Sequence, residues 1–368
     1  MFIVNLDVQP WHSDKSFSEK VKKFHDIYCR QPSKESPEFK EANRLLHIYL
    51  DQLGDLLTEQ GLFKLHRYDY RGSTYEGVKV YKNVDDPDLE FDVMFIVQGG
   101  SKLLAVSTGS PGYVNLKPTP AFKDQYPTLF SKSVDESTGY LSAKKTRETF
   151  FSQVKRAIQI LEKSRSAEQD GISLDMNWIL REHGPAVQID VIRRGSWGKM
   201  LFSIDLVPQF ELGNSGDIKA IYVPKNSSND AVEKESWFRS YALQERDMFV
   251  GMDQNNGCRK QVLRILKVIR KRNELASLSS YHLKTALLEE MKVQPNSDRW
   301  KQSELGARLM DVIRRLAICL SEHYMKHYFI QDYNLFQEFE ESAMENMKYR
   351  IGHLCSSRVE MESAIYAS

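Results

Sequence analysis

Residues 89–97 read LEFDVMFIV, and this stretch decides the fold. Its bulky apolar residues fall at every second position, which is the period of a β-strand. The alternate positions are Glu90, Asp92, Met94 and Ile96. Side chains two apart on a strand share a face, so Glu90 and Asp92 point to one side and Phe91 points into the core. The two acids therefore lie together on a half-buried face.

Two carboxylates on one strand face repel each other unless a cation lies between them. Carboxylate oxygens are the ligands that Mg²⁺ and Mn²⁺ prefer. For an isolated Glu-x-Asp, a solvated strand face is the more common explanation. Because apolar residues follow Glu90 and Asp92 on their own face, the pair favours a metal site.

A third carboxylate is expected on a second pair of strands, Val187–Ile192 and Lys199–Val207. The segment RRGSWG joins them, which predicts an antiparallel pair. Asp190 and Asp205 are both candidates. Asp205 shares a face with Ser203, while Asp190 could instead be a structural partner of a nearby arginine, and the pattern alone leaves both open.

A glycine and a hydroxyl residue, Gly72 and Ser73, precede the acidic strand. Such a pair lets backbone N–H groups and an Oγ atom approach a phosphate closely, although Gly-Ser is also a common turn. Three carboxylates beside this turn would hold two metal ions on a nucleoside triphosphate. The metals would lower the pKa of an attacking ribose hydroxyl and hold the leaving pyrophosphate in line.

The spacing of apolar residues predicts the secondary structure of the rest of the chain. Helices are predicted at about 16–28, 41–60 and 142–164, with a hairpin-like insertion at Lys82–Asp88, a long loop at Gly109–Tyr140 and a surface connection at Val223–Asp230. Helical spacing then recurs at 238–250, 258–274, 281–292, 301–325 and 334–352. We therefore predict a bilobal α+β fold. A mixed β-sheet catalytic lobe with a long N-terminal helix takes residues 1–235, and an all-helical lobe takes residues 236–368.

Composition excludes several classes of protein. The chain has 368 residues, 27% charged and 41% hydrophobic, with a net charge of +1, so a uniformly polyanion-binding surface is not expected. No apolar stretch is long enough to span a bilayer, and the start lacks the pattern of a signal peptide. The four cysteines form no CxxC pair, which argues against a zinc ribbon or a disulfide framework. We expect a soluble, cytoplasmic protein without a membrane partner.

Positive charge is concentrated in two predicted helices. No acidic residue lies between Asp253 and Glu274, and Lys260, Arg264, Lys267 and Lys271 are spaced as one helical stripe. The second helix carries Lys144, Lys145, Arg147, Lys155 and Arg156. Either could be a solvated amphipathic helix, but a stripe of one sign repels itself and favours a polyanionic partner.

Seven separated motifs, in order over residues 40–340, resemble the cyclic GMP-AMP synthase-like receptors, an animal nucleotidyltransferase-fold family. They are GSTYEGVKV (72–80), LEFDVMF (89–95), SIDLV (203–207), CRK (258–260), SSYHLKTA (279–286), YFI (328–330) and NLF (334–336). The resemblance decides for Asp205 over Asp190 as the third metal ligand. It also implies that the triphosphate and bases are bound by Gly72, Ser73, Arg239, Glu245, Lys267, Ser280, Tyr281 and Lys284.

The resemblance implies an enzyme that joins ATP and GTP into a cyclic dinucleotide of the cyclic GMP-AMP type in innate immunity. Nucleic acid would contact Lys260, Arg264, Lys144, Lys145 and Lys155. The zinc-binding insertion of vertebrate cyclic GMP-AMP synthase is missing, because Asp253–Gly257 is short and has no histidine or cysteine. We therefore expect no zinc, and double-stranded RNA rather than double-stranded DNA as activator, with a possible ligand-induced oligomer.

Two departures concern the nucleotide. Phe238 follows Trp237 where the family has an arginine, and Ala242 stands where a serine often contacts nucleotide.

Two alternative functions remain. One is a catalytically silent scaffold of the same fold that acts in development, against which the intact carboxylates argue. The other is a template-independent RNA-tailing polymerase, which the Ser280–His282 motif disfavours.

Overall fold

A computed structural model describes residues 7–31, 33–81, 89–165, 176–193, 200–213, 220–225, 236–273 and 275–366. The chain forms two compact units. The sheet unit comprises Pro32–Tyr75 and Asp85–Arg246, and the helical unit comprises Met1–Gln31, Glu76–Val84 and Asp247–Ser368. The predicted α+β class, with a mixed sheet and a separate helical part, is confirmed.

Nine strands in the described residues form one sheet. They are β1 (Leu65–Arg71), β2 (Glu90–Val97), β3 (Leu103–Ser107), β4 (Tyr113–Pro118), β5 (Met176–His183), β6 (Ala186–Arg193), β7 (Met200–Leu212), β8 (Ala220–Val223) and β9 (Ser236–Ser240). The order along the main path is β1-β2-β7-β8-β9-β4-β3, and β6 pairs with both β5 and β7. Strands β2 and β7 run parallel, whereas β6 and β7 are antiparallel as predicted.

Helices α2 (Pro37–Glu59) and α6 (Ala143–Arg165) pack in the core on one face of this sheet. The Ser36 hydroxyl accepts a hydrogen bond from the backbone N–H of Phe39, and Pro37 follows at the first helical position, so α2 has a strong start signal. Phe91 is fully buried in this core, which confirms its predicted direction. The opposite face of β2 carries Glu90 and Asp92, followed by the buried Met94 and Ile96.

The helical unit contains α1 (Lys15–Tyr28) and most of the C-terminal helices. These are α8 (Arg259–Arg272), α9 (Ser280–Val293), α10 (Leu305–Ser321), α11 (Glu341–Ser356) and α12 (Arg358–Tyr366). Phe17, Val21 and Phe24 of α1 are fully buried in the core that α8 and α10 form. The N-terminal residues thus pack with the helical unit, whereas the sequence places them in the first lobe. The predicted boundary after residue 235 stays a prediction.

Three predicted elements differ from the structure. The expected loop at Gly109–Tyr140 is wrong, because the region contains β4 and two short helices, α4 (Pro120–Gln125) and α5 (Pro127–Ser133), each opened by a proline. The predicted helix at 238–250 begins as β9 and becomes α7 (Ala242–Val250). The last long helix starts only at Glu341.

Three predicted connections lie wholly or partly outside the described residues: the insertion at 82–88, the RRGSWG link and the connection at 223–230. Across the described ranges, the structure contains no helix that is both long enough and apolar enough to cross a membrane.

Candidate active site

The acidic face of the sheet is set by the parallel pairing of β2 and β7. Asp92 lies directly opposite Asp205, and Glu90 lies opposite Ser203. Residues paired across neighbouring strands point to the same face, so the three carboxylates share one side of two adjacent strands. Asp205 is 8% exposed, and Glu90 and Asp92 are half-buried. The structure therefore brings together the three acids singled out in the sequence.

Gly72 follows β1 directly and approaches Asp92 more closely than any other residue type could. Its φ is +80°, and a Cβ built there would lie 1.7 Å from Asp92 Oδ2. The half-buried Ser73 follows in the short helix α3 (Gly72–Glu76). Thr74 Oγ1 donates a hydrogen bond of 2.6 Å to the Glu90 carbonyl, which ties the turn to the acidic strand.

Asp205 has two differently placed oxygens. Its Oδ2 lies 3.2 Å from His183 Nδ1, while its Oδ1 is buried and has no hydrogen-bond partner among the described residues. Burial and the nearby Glu90 raise the pKa of Asp205, whereas His183 and Arg71 act in the opposite direction. A buried carboxylate oxygen without a partner is a feature that a bound cation would satisfy.

Asp190, the alternative left open by the sequence, is already neutralised by an ion pair. Arg181 Nη1 lies 2.7 Å from its Oδ2, and Gln188 donates to its Oδ1 at 3.0 Å. Asp190 pairs with Ser203 in the sheet register, so it lies on the same face as Asp205. Its position is compatible with a role in the site, but its bonding is that of a structural ion pair.

The donor set suits a divalent metal, but the side chains do not form a ready-made cage. Within the described residues, no three Asp, Glu, His or Cys groups are gathered so that they could hold an ion. In this geometry Asp92 rests against Gly72, and Asp205 is bonded to His183. A metal would be held by Glu90, Asp92 and Asp205 only after these side chains rotate, and the metal site stays a prediction.

A second set of predicted nucleotide-binding residues lies in the helical unit. Lys267 of α8 is 7% exposed, and its ammonium group donates to the Val78 carbonyl at 2.9 Å. Burial, reinforced by the charge of Lys284, lowers the pKa of Lys267 to about 7. Lys284 of α9 is also buried and forms an ion pair with Glu76, with 2.6 Å between Nζ and Oε2.

Ser280 and Tyr281 open helix α9. Ser279 is its N-cap, and the Ser279 hydroxyl accepts a hydrogen bond from the backbone N–H of His282. The half-buried Tyr281 has its hydroxyl 2.8 Å from His327 Nε2. Tyr281 is thus a partly exposed aromatic ring at a helix start, as base stacking requires.

Arg239 and Glu245 lie on different elements rather than on one helix. Arg239 is at the end of β9, with its guanidinium over the Tyr241 ring at 5.1 Å. Glu245 is in the first turn of α7 and is 8% exposed. The predicted helix at 238–250 is therefore wrong for Arg239, which lies on a strand, whereas Glu245 does lie in a helix.

Comparison with known families agrees with this architecture. The description "Mab-21 protein nucleotidyltransferase domain" matches residues 74–251, and "Mab-21 protein HhH/H2TH-like domain" matches residues 258–353. The chain belongs to the Mab-21 family. It is similar to cyclic GMP-AMP synthase-like receptor 3 of Stylophora pistillata, with 29% identity over 358 residues, covering 95% of this chain and 98% of the relative.

The Mab-21 nucleotidyltransferase domain includes the acidic face and helix α6. On α6, Lys144 and Lys155 are exposed, whereas Lys145 lies 2.8 Å from Asp135 Oδ2. On α8, in the HhH/H2TH-like domain, Lys260 and Arg264 are half-buried. The α8 stripe is not a uniformly exposed one, because Lys267 is buried within it. Contact with nucleic acid stays a prediction for all of these residues.

Two residues of the sheet unit escaped the sequence analysis. Arg71 is paired with Asp92 across β1 and β2, and its buried Nε has no hydrogen-bond partner in the described ranges. His183 holds Asp205 from the end of β5, a strand that the sequence did not predict. Alternation along 65–71 could have placed Arg71 on the acidic face, but no local signal links His183 to Asp205.

Proposed function

We propose that this chain is a metal-dependent nucleotidyltransferase that joins ATP and GTP into a cyclic dinucleotide. One observation carries the proposal: the β2–β7 register sets Asp92 beside Asp205, on the face that also carries Glu90. The close approach of Gly72 to Asp92 adds a phosphate-binding turn at the same place. The nucleotidyltransferase domain of the Mab-21 family covers all of these residues except Gly72 and Ser73.

The chain's own groups have distinct roles in this reaction. Glu90, Asp92 and Asp205 would hold Mg²⁺ or Mn²⁺, which supplies charge neutralisation and an activated ribose hydroxyl when bound. Backbone N–H groups at Gly72 and Ser73 would position the donor triphosphate. The ribose hydroxyl attacks the α-phosphate, pyrophosphate leaves, and a second attack of the same kind closes the ring.

Acceptor binding is assigned to the residues of the helical unit. Lys267 and Lys284 supply buried positive charge for phosphate, and Tyr281 supplies a ring for a base. Stacking of this kind contributes about 1–3 kcal/mol per base. Support for the cyclic product comes from the relative described as a cyclic GMP-AMP synthase-like receptor. Arg239 and Glu245 belong to the same proposed nucleotide set.

Double-stranded RNA is the activator we favour, in a cytoplasmic innate immune sensor. The segment from Asp253 to Gly257 is a tight turn, because the Asp253 carboxylate accepts a hydrogen bond from the backbone N–H of Lys260 at 2.7 Å. It is too short to contain a zinc-binding insertion of the kind that supports recognition of double-stranded DNA in vertebrate cyclic GMP-AMP synthase. Exposed Lys144 and Lys155 suit the phosphates of an RNA duplex, which proteins recognise by shape.

The test compares three conservative variants on one sheet face. Purified protein is incubated with ATP, GTP, Mg²⁺ or Mn²⁺ and a panel of long double-stranded RNA and DNA, and pyrophosphate and nucleotide products are measured. Asp92→Asn and Asp205→Asn should reduce product by at least about 100-fold, since each removes a charge that acts in the transition state. The matched control is Asp190→Asn, which should keep most of the activity because Asp190 pairs with Arg181. Activity that survives Asp92→Asn removes this residue from the reaction.

A catalytically silent scaffold is the second candidate. The bond between His183 and Asp205 favours it, because it engages one of the three acids with a side chain of the protein itself. The enzyme and the scaffold differ in how strongly nucleotide with Mg²⁺ stabilises the folded chain. A ligand at 100 times its Kd stabilises the folded state by about 2.7 kcal/mol. If the chain is an enzyme, this stabilisation should be present in the wild type and absent in Glu90→Gln. Absence of the stabilisation in the wild-type chain, together with absence of product, supports the scaffold.

A further inference from the structure

The imidazole of His327 is bonded on both sides in the helical unit. Its Nδ1 lies 3.1 Å from the backbone nitrogens of both Phe329 and Ile330. Its Nε2 lies 2.8 Å from the hydroxyl of Tyr281. The side chain is 3% exposed, so the bonds are shielded from water. The ring therefore links the turn at 327–330 to the first turn of α9.

These bonds determine the tautomer of His327. Backbone N–H groups can only donate, so Nδ1 is an acceptor and carries no hydrogen in this arrangement. The ring hydrogen of the neutral imidazole is then on Nε2, which donates to the Tyr281 hydroxyl oxygen. The direction of the bond is fixed by two backbone groups rather than by the tyrosine.

The segment around His327 is itself firmly held. The His327 backbone N–H donates to the Tyr333 carbonyl at 2.9 Å, and the Tyr333 ring lies edge-on to the imidazole at 5.7 Å between centroids. Asn334 Oδ1 accepts from the backbone N–H groups of Met325 and Phe336. Since the backbone of this segment is bonded at several points, the imidazole has a defined position.

Tyr281 lies at the start of its helix. It is the second residue of α9 and is half-buried, and its χ1 and χ2 angles set the direction and the plane of its ring. The bond to His327 is at the far end of the ring and leaves the two rings tilted at 40°, with centroids 5.3 Å apart. The hydroxyl oxygen lies on the axis of rotation about χ2, so this bond fixes the direction in which the ring extends.

We propose that His327 is a positioning residue that sets the direction of the Tyr281 ring for stacking on a nucleobase. The inference rests on the proposed nucleotide site and deepens it, because it adds a residue that does not itself touch nucleotide. Stacking depends on where the ring lies, and a ring held in advance loses less freedom on binding. The effect should therefore appear in the affinity for nucleotide.

Two substitutions separate this role from a structural one. In His327→Asn, the side-chain oxygen can replace Nδ1 as acceptor for the two backbone N–H groups, but the side chain is too short to reach Tyr281. In His327→Gln, the amide nitrogen can replace Nε2 as donor to the hydroxyl. Tyr281→Phe removes the same bond from the other side. The control is His323→Asn, because His323 contacts Glu345 and lies in the same loop.

The experiment measures the affinity of the full chain for ATP and for GTP, with thermal melting as a check on folding. His327→Asn and Tyr281→Phe should each weaken binding about three- to tenfold, the usual effect of one hydrogen bond. The double variant should be no weaker than either single variant, because both remove one bond. His327→Gln should recover much of the affinity, and His323→Asn should match the wild type.

Three results would overturn the proposal. Full additivity of His327→Asn and Tyr281→Phe would show that the residues act separately. Unchanged affinity in His327→Asn, while Tyr281→Ala abolishes binding, would leave the nucleotide site intact and remove His327 from it. If the wild-type chain binds neither nucleotide, the proposed function fails and this inference fails with it. Should His327→Asn not fold, the comparison of Tyr281→Phe with His327→Gln decides.

Discussion

At the scale of single residues, the candidate site depends on a glycine that gives room to a carboxylate. Gly72 has a φ of +80°, and Asp92 Oδ2 occupies the space where any other side chain would begin. Gly61 has a similar φ of +75° but has no atom within 4 Å of a Cβ built there. The two glycines therefore share a left-handed backbone conformation and differ in what a methyl group would meet.

This difference gives a matched prediction. Gly72→Ala should reduce nucleotidyl transfer by about 100-fold or more, because the methyl group displaces the Asp92 carboxylate by more than an ångström. Gly61→Ala should cost about 1 kcal/mol of stability from the same positive φ and leave turnover per folded molecule unchanged. Product formation and thermal melting of both variants are the measurements. Equal turnover in the two variants would mean that the position of Asp92 is unimportant.

At the scale of elements, helix α8 combines a buried lysine with an exposed one. Lys267 lies among the buried residues of the helix and donates to the Val78 carbonyl, whereas Lys271 is exposed one turn later. Burial lowers the pKa of Lys267 to about 7, so near neutral pH its charge depends on what is bound beside it. A phosphate group would favour the charged form.

Nucleotide affinity should accordingly fall as pH rises above 7. With the pKa of free Lys267 at about 7, binding of phosphate takes up a proton, and affinity declines by up to about tenfold per pH unit. Lys267→Met should bind weakly, with little change in affinity between pH 7 and 9. The control Lys271→Met should keep the wild-type pH dependence. Calorimetric titration at several pH values checks this, and a wild-type pH profile in Lys267→Met would contradict it.

The same lysine affects stability in a definite direction. Its folded pKa lies below the unfolded value, so the cost of the buried ammonium grows as pH falls from about 10.5 toward 7 and is complete below 7. Lys267→Met should therefore melt above the wild type at pH 6, and the difference should shrink as pH rises toward 10.

At the scale of the whole molecule, a net charge of +1 conceals local excesses of positive charge. Lys144 and Lys155 are exposed on α6, and Lys144 Nζ lies as far as 3.9 Å from Glu148 Oε1. Other lysines are closely paired, such as the exposed Lys301 with Asp298 at 2.9 Å and the half-buried Lys348 with Glu345 at 3.1 Å. Binding of a polyanion should depend on Lys144 and Lys155 far more than on the closely paired Lys301 and Lys348.

The salt dependence of RNA binding tests this distribution. In Lys144→Gln/Lys155→Gln, the slope of log Kobs against log salt should become less negative by about 1–2, the effect of losing two phosphate contacts. Lys301→Gln/Lys348→Gln makes the same change in net charge and should leave the slope unchanged. Binding titrations with long double-stranded RNA at several salt concentrations provide the measurement. A similar change of slope in both double variants would indicate a general charge effect.

Local patterns in the sequence were sufficient for much of the fold and for the two adjacent acids. Alternation over 89–97 determined the strand and the shared face of Glu90 and Asp92, because side-chain direction on a strand has a fixed period. Helical spacing likewise predicted α2, α6, α8 and α9 to within a few residues at each end. Prolines at the starts of α4 and α5 were interpreted as loop signals, although proline also suits a first helical position.

Only the tertiary structure decided which residues meet. Asp92 pairs with Asp205 across 113 positions of sequence (205 − 92 = 113), and the register of a parallel pair is set by packing of whole strands rather than by neighbouring residues. Packing of distant segments likewise sets the contact of His183 with Asp205 and that of His327 with Tyr281. The sequence by itself determined which side chains could bind metal and nucleotide. Long-range pairing determined their partners, because a contact between distant segments has no period that a local pattern can carry.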